Sequence, residues 1–131
     1  MPNWCENRVS IYCGDEDLLK EFVATFMPKG YFDFHAIVPL GLGMNDDGEQ
    51  AWDYNLAVEK WGTKWQLVDE DKDGFSVNGD YIDADFDTAW SPPVGIYNAI
   101  DAWFVERGAD YSISWFYNEP GMQFAGYLNN E

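Results

Sequence analysis

Positive charge is what this sequence has least of. Seven Lys plus Arg stand against 24 Asp plus Glu, a formal net charge of -17 at pH 7 over 131 residues. Nucleic-acid affinity comes largely from basic side chains that displace phosphate counterions, so direct binding to DNA or RNA is not expected. Histidine occurs once, as His35, and cysteine twice, as Cys5 and Cys13. Those three cannot make the four-ligand set of a structural zinc site, and no Ser/His/Asp set has any spacing logic. No phosphate-cradling glycine motif is present, since the Gly-Leu-Gly at 41–43 lacks the rest of one. The chain is therefore expected to work without a cofactor and not to be an enzyme. No apolar run approaches the roughly 18 residues of a membrane span, and the start, MPNWCENR, is polar, unlike a signal peptide.

The cysteines point the same way. If residues 4–13 form a strand, Cys5 and Cys13 share a face but lie roughly 27 Å apart at 3.3–3.4 Å per residue. A disulfide needs Cα atoms within about 7 Å. Two buried free thiols are expected, which indicates a reducing compartment and a cytoplasmic location. A chain of this length falls within the usual range of one domain, and it is read as a single domain over 1–131. It can bury roughly two thirds of its unfolded surface without metal or disulfide. Aromatics are plentiful, with seven Trp, eight Tyr and nine Phe. A disordered acidic chain would be poor in them, so the acidity is expected on the outside of a folded body.

Hydrophobic periodicity divides the chain. WCENRVSIYC at 4–13 alternates as a strand, with Cys5, Val9, Ile11 and Cys13 on one face and Glu6, Arg8 and Ser10 on the other. Asp15 is a good N-cap for an amphipathic helix at 16–27, built on Leu18, Leu19, Phe22, Val23 and Phe26. YFDFHAIV at 31–38 reads as a second strand. A second helix is expected within 49–61, with Trp52, Leu56, Ala57 and Trp61 inward. A hairpin is expected from 65–69 and 75–78. DYIDADFDTAW at 80–90 alternates cleanly, Ile82, Ala84 and Phe86 against Asp83, Asp85 and Asp87. Ser91-Pro92-Pro93 opens a helix to about 107 with the stripe Ile96, Ile100, Trp103 and Phe104, and strands follow at 110–118 and 122–128. The order predicts an α+β fold with a ferredoxin-like β-α-β-β-α-β core, an insertion at about 39–78 between its second and third strands, and an extra C-terminal strand.

Five ordered motifs carry a family resemblance: PNWCENRV at 2–9, FDF at 32–34 with Pro39, WGTKW at 61–65, FDTAWSPP at 86–93 and EPG at 119–121 with FAG at 124–126. Together they resemble the YubB-like proteins of plasmids and phages, across nearly the whole chain. The resemblance implies a ferredoxin-like domain and a mobile-element origin, where many small proteins counter host defences. It implies no reaction and no established site.

Three constellations are candidate sites. Asp69, Asp71, Asp73, Gly74 and Asp80 match the spacing of an EF-hand calcium loop. The closing acid is Asp rather than Glu, however, and the flanks read as strands, so a solvated hairpin turn is the favoured reading. Trp61, Trp65 and Trp90, with Thr63 and Lys64, either line a binding pocket or cover the core beneath the insertion. The row Asp83, Asp85 and Asp87 places carboxylates roughly 6.6–6.8 Å apart on one side of a strand, a spacing comparable to that of backbone phosphates. The expected function is an acidic binding protein of a phage or plasmid that occupies the basic groove of a host nucleic-acid-handling or defence protein, in the manner of an anti-CRISPR or anti-restriction DNA mimic. The alternative is a binding module for a small ligand or an ordinary protein through the tryptophan loops.

Overall fold

The computed structural model of the protein describes residues 4–48, 51–63 and 74–128. Strand β1 spans Trp4–Cys13 and carries the alternation read from the sequence, with Cys5, Asn7, Val9, Ile11 and Cys13 buried. Asp15 caps helix α1, Glu16–Phe26, its side chain accepting from the Leu18 amide. Glu16 and Asp17 lie at the positive end of that helix.

The stretch 31–38 is not a strand. It holds a single helical turn, α2, Phe34–Ile37, capped by the Asp33 side chain accepting from Ala36 N at 3.3 Å. Phe32 and Phe34 are both fully buried. Two like-facing aromatics at i and i+2 mimic strand periodicity, but the local cap at Asp33 decides for the turn. Both edges of β1 are in any case taken, one by each of its neighbours. Helix α3 spans Tyr54–Trp61, shorter than the expected 49–61. Asp53 caps its start and Gly62, at φ 87, ends it. The expected strand 65–69 and its turn lie outside the described residues.

The remaining elements follow the sequence pattern closely. They are β2, Phe75–Asn78; β3, Tyr81–Ala89; α4, Val94–Glu106; β4, Tyr111–Glu119; and β5, Phe124–Tyr127. The five strands form one antiparallel sheet in the order β2-β3-β1-β4-β5. The strand that follows the first helix in the sheet is thus β2, within the stretch read as an insertion. In the sheet β3 lies between β1 and β2, and β1 lies between β3 and β4.

Helices α1 and α4 share one face of this sheet. Phe22 stacks on Phe104 at 5.3 Å and meets Trp103 edge-on at 5.4 Å. Beneath them Phe32, Phe86 and Tyr97 pack around the fully buried Trp115 at 5.7–5.9 Å. Each such ring contributes on the order of 1.5–3 kcal/mol by leaving water. Helix α3 packs against α4 by close backbone approach: a Cβ on Gly95 would stand 1.8 Å from the Lys60 carbonyl oxygen. Among the described residues, no helix is long and apolar enough to cross a membrane.

Candidate partner-binding face

With these helices on one side, no described helix covers the opposite side of the sheet. Strand alternation decides what it shows, and register decides which side chains stand together. Four cross-strand rows result. The first is Asn78, Tyr81, Tyr12 and Ser112; the second Ser76, Asp83, Ser10 and Ser114; the third Asp85, Arg8, Phe116 and Tyr127; the fourth Asp87, Glu6, Asn118 and Ala125. The Asp row of β3 therefore crosses the second, third and fourth rows of an uncovered face. Asp83 and Asp85 are exposed and Asp87 is half-buried.

Charge on this face is lopsided: among the described residues, four carboxylates stand against the one guanidinium of Arg8. Arg8 Nε approaches Asp85 Oδ1 at 3.8 Å with both side chains about four-fifths exposed (80% and 81%), a pair of small energetic value. Asp83 accepts from Asn78 Nδ2 at 2.9 Å. Glu6 lies directly opposite Asp87, and like charges in that position destabilise a sheet. At the far end Tyr12 and Tyr81 pack at 5.4 Å. The Asp110 carboxylate, then burial and Asp80, push the Tyr12 phenol up from its ordinary value. A groove of about 870 Å³ runs over the second and third rows, bounded by Gly74 and Phe75 at one edge of the sheet and by Tyr127 at the other.

The tryptophan constellation resolves differently. Trp61 is fully buried, donates from Nε1 to the Val38 carbonyl at 2.8 Å, and meets Phe34 and His35 edge-on. It is a core residue under α3 and not a surface anchor. Trp90 is partly exposed (43%) at φ 72. Lys64 and Trp65 lie outside the described residues, as do Asp69, Asp71 and Asp73 of the calcium-like spacing. Asp80 is exposed in the turn before β3. Among the described residues no group of three or more His, Cys, Asp or Glu could hold a metal ion.

Beneath the sheet lies a polar network that the sequence reading did not foresee. Asn7 Nδ2 donates to Thr88 Oγ1 at 3.0 Å and to the Cys5 carbonyl at 3.1 Å, while Trp115 Nε1 donates to Asn7 Oδ1 at 3.0 Å. Thr88 Oγ1 donates to the Ser91 carbonyl, Ser91 Oγ to the Gly62 carbonyl, and Thr63 Oγ1 to the Ala89 carbonyl. Asn7, the Gly62–Thr63 pair and the Thr88–Ser91 stretch are therefore joined by hydrogen bonds that tie three distant segments together. The signal for Asn7 was present: it occupies a core-facing phase of β1, between Cys5 and Val9. Glu119 is also fully buried, Oε2 accepting from the Met122 amide and Oε1 without a hydrogen-bond partner. Cys5 and Cys13 are buried free thiols. Burial pushes the Cys5 thiol up to about 11, the opposite of an activated nucleophile.

No family model matches the chain, and comparison with curated proteins and with solved structures finds no significant match.

Proposed function

We propose that this protein binds a basic protein through the open face of its sheet, occupying a groove that normally holds nucleic acid. One observation carries the reading: among the described residues, the open face gathers Glu6, Asp83, Asp85 and Asp87 around one loosely paired arginine. Their potentials add within a Debye length of about 8 Å at physiological salt. Complementary charge speeds encounter and bars the true nucleic acid from the same groove. The burial of Trp61 counts against a partner site built on the tryptophan loops.

The two crossovers, each over one intervening strand, support a ferredoxin-like core to which β5 adds a fifth strand. With the five motifs, that arrangement supports membership of the YubB-like group and a role as an inhibitor of host defence carried by a phage or plasmid, acting in the host cytoplasm.

The test is capture of a partner from host lysate on immobilised protein. Bound protein should elute between about 50 mM and 500 mM salt and be displaced by added nucleic acid. The variant Asp83→Asn/Asp85→Asn/Asp87→Asn keeps side-chain size and should keep the fold while losing capture. A partner held equally at both salt concentrations, or unaffected by the triple variant, sinks the proposal.

A further inference from the structure

The open face has a relief as well as a charge. Its second row is built from three serines and one aspartate, Ser76, Asp83, Ser10 and Ser114. These are small side chains on a pleated surface, and they leave a trough. The third row walls it with larger groups: Asp85, Arg8, Phe116 and Tyr127. The groove of about 870 Å³ lies over this floor and wall. It crosses all five strands, four interstrand spacings of about 4.8 Å, or roughly 19 Å. That is the length of about six residues of extended chain.

The two ends of the trough differ in chemistry. At the β3 end, Asp83 on the floor and Asp85 on the wall present two carboxylates to the same volume. At the β4–β5 end, Phe116 and Tyr127 form an inclined ring pair at 5.3 Å. Carboxylates accept from a guanidinium fork, and aromatic faces stack on its plane. An ammonium has no plane to stack. The chain carries its own stand-in: Arg8 projects into the trough between the two ends and rests on Asp85 at 3.8 Å, exposed and loosely held.

We infer that this trough is an arginine-binding groove, which takes an extended arginine-rich segment of the partner across the strands, one guanidinium against Asp83 and Asp85 and another on the Phe116–Tyr127 rings. The inference rests on the proposed function above and names the chemistry of its partner. The ends are two strand spacings apart, about 10 Å, so arginines about three residues apart along an extended segment reach both. Arg8 gives up Asp85 to the incoming side chain. That exchange costs little, because an exposed pair of this kind is weak.

The test uses hexa-arginine and hexa-lysine peptides, equal in length and charge, titrated against the whole protein at fixed salt. Hexa-arginine is expected to bind roughly tenfold more tightly, the contribution of a stacked guanidinium. Tyr127→Leu, at an exposed position, and Phe116→Leu should each shrink that preference by weakening hexa-arginine binding more than hexa-lysine binding. Arg8→Gln should tighten hexa-arginine binding several-fold by freeing Asp85, and Asp85→Asn should weaken it. Equal binding of the two peptides, or a preference that survives both leucine variants, overturns the arginine groove and leaves the acidic docking face standing. Binding of neither peptide overturns the groove, and the salt-dependent capture experiment then decides separately whether the acidic face has any basic partner.

Discussion

Replacing Gly95 by alanine tests whether α3 is seated on α4 as described. An added Cβ would lie 1.8 Å from the Lys60 carbonyl oxygen, 2.6 Å from its carbon and 3.1 Å from Trp61 Cα. All three are backbone atoms, and none can rotate away. Ordinary contact begins near 3.4 Å, so the end of α3 must move outward by well over an ångström. Moving it strains Trp61, which is anchored by its bond to the Val38 carbonyl. Overpacking of this kind costs about 1–3 kcal/mol, occasionally more, and backbone-only contacts belong at the upper end. Against this, alanine is better than glycine within a helix by about 1 kcal/mol. The expected net loss is about 2 kcal/mol, or a fall in Tm of about 6–10 °C for a domain of this size. Thermal unfolding followed by far-UV circular dichroism reads it. Gly79→Ala is the control. Gly79 has no neighbour within 4 Å of an added Cβ but a φ of 64, so it should lose only about 1–2 kcal/mol from its left-handed backbone. A Gly95→Ala protein as stable as the wild type, or more stable, refutes the close approach of the two helices.

Two further outcomes follow from buried groups. Trp115→Phe removes the donor to Asn7 Oδ1 and leaves a buried amide oxygen unpaired, so denaturant unfolding should show a loss of about 1–3 kcal/mol; a loss within error would mean the network is not closed. His35 has its pKa lowered from 6.5, chiefly by burial, so the unfolded state takes up the proton first as pH falls. The stability that neutral His35 contributes is present above pH 6.5 and lost as pH drops below it. The ring should titrate below 6.5 by NMR, and the stability difference between wild type and His35→Gln should shrink in acid; a midpoint above 6.5 refutes the burial.

Much of this molecule was legible in local pattern. The alternation of β1 and β3 and the stripes of α1 and α4 need only period and caps, because each element decides its own buried face from its own residues. The Asp83-Asp85-Asp87 side of β3 was readable for the same reason. What stands beside that row was not. That Glu6 opposes Asp87, Arg8 opposes Asp85 and Phe116 adjoins Tyr127 depends on register between strands, with the β1–β3 partners far apart in sequence, which no local pattern encodes. The segment at 31–38 shows the converse failure. Its aromatics at Phe32 and Phe34 have strand spacing, yet both serve the core from a capped turn, because β3 and β4 occupy the two edges of β1. Trp61 likewise shows one composition with two fates, since a tryptophan beside glycine and threonine reads equally as an anchor or as core. Its burial comes from tertiary contacts, with Phe34, His35 and Val38 around its ring and α4 close behind α3 at Gly95. The sequence by itself determined the elements, their inward faces and the sign of the surface charge, all of which follow from neighbours along the chain. Tertiary structure alone decided which charges share a row, where the trough lies and which tryptophan is buried, because those depend on contacts that the chain makes only after it has folded.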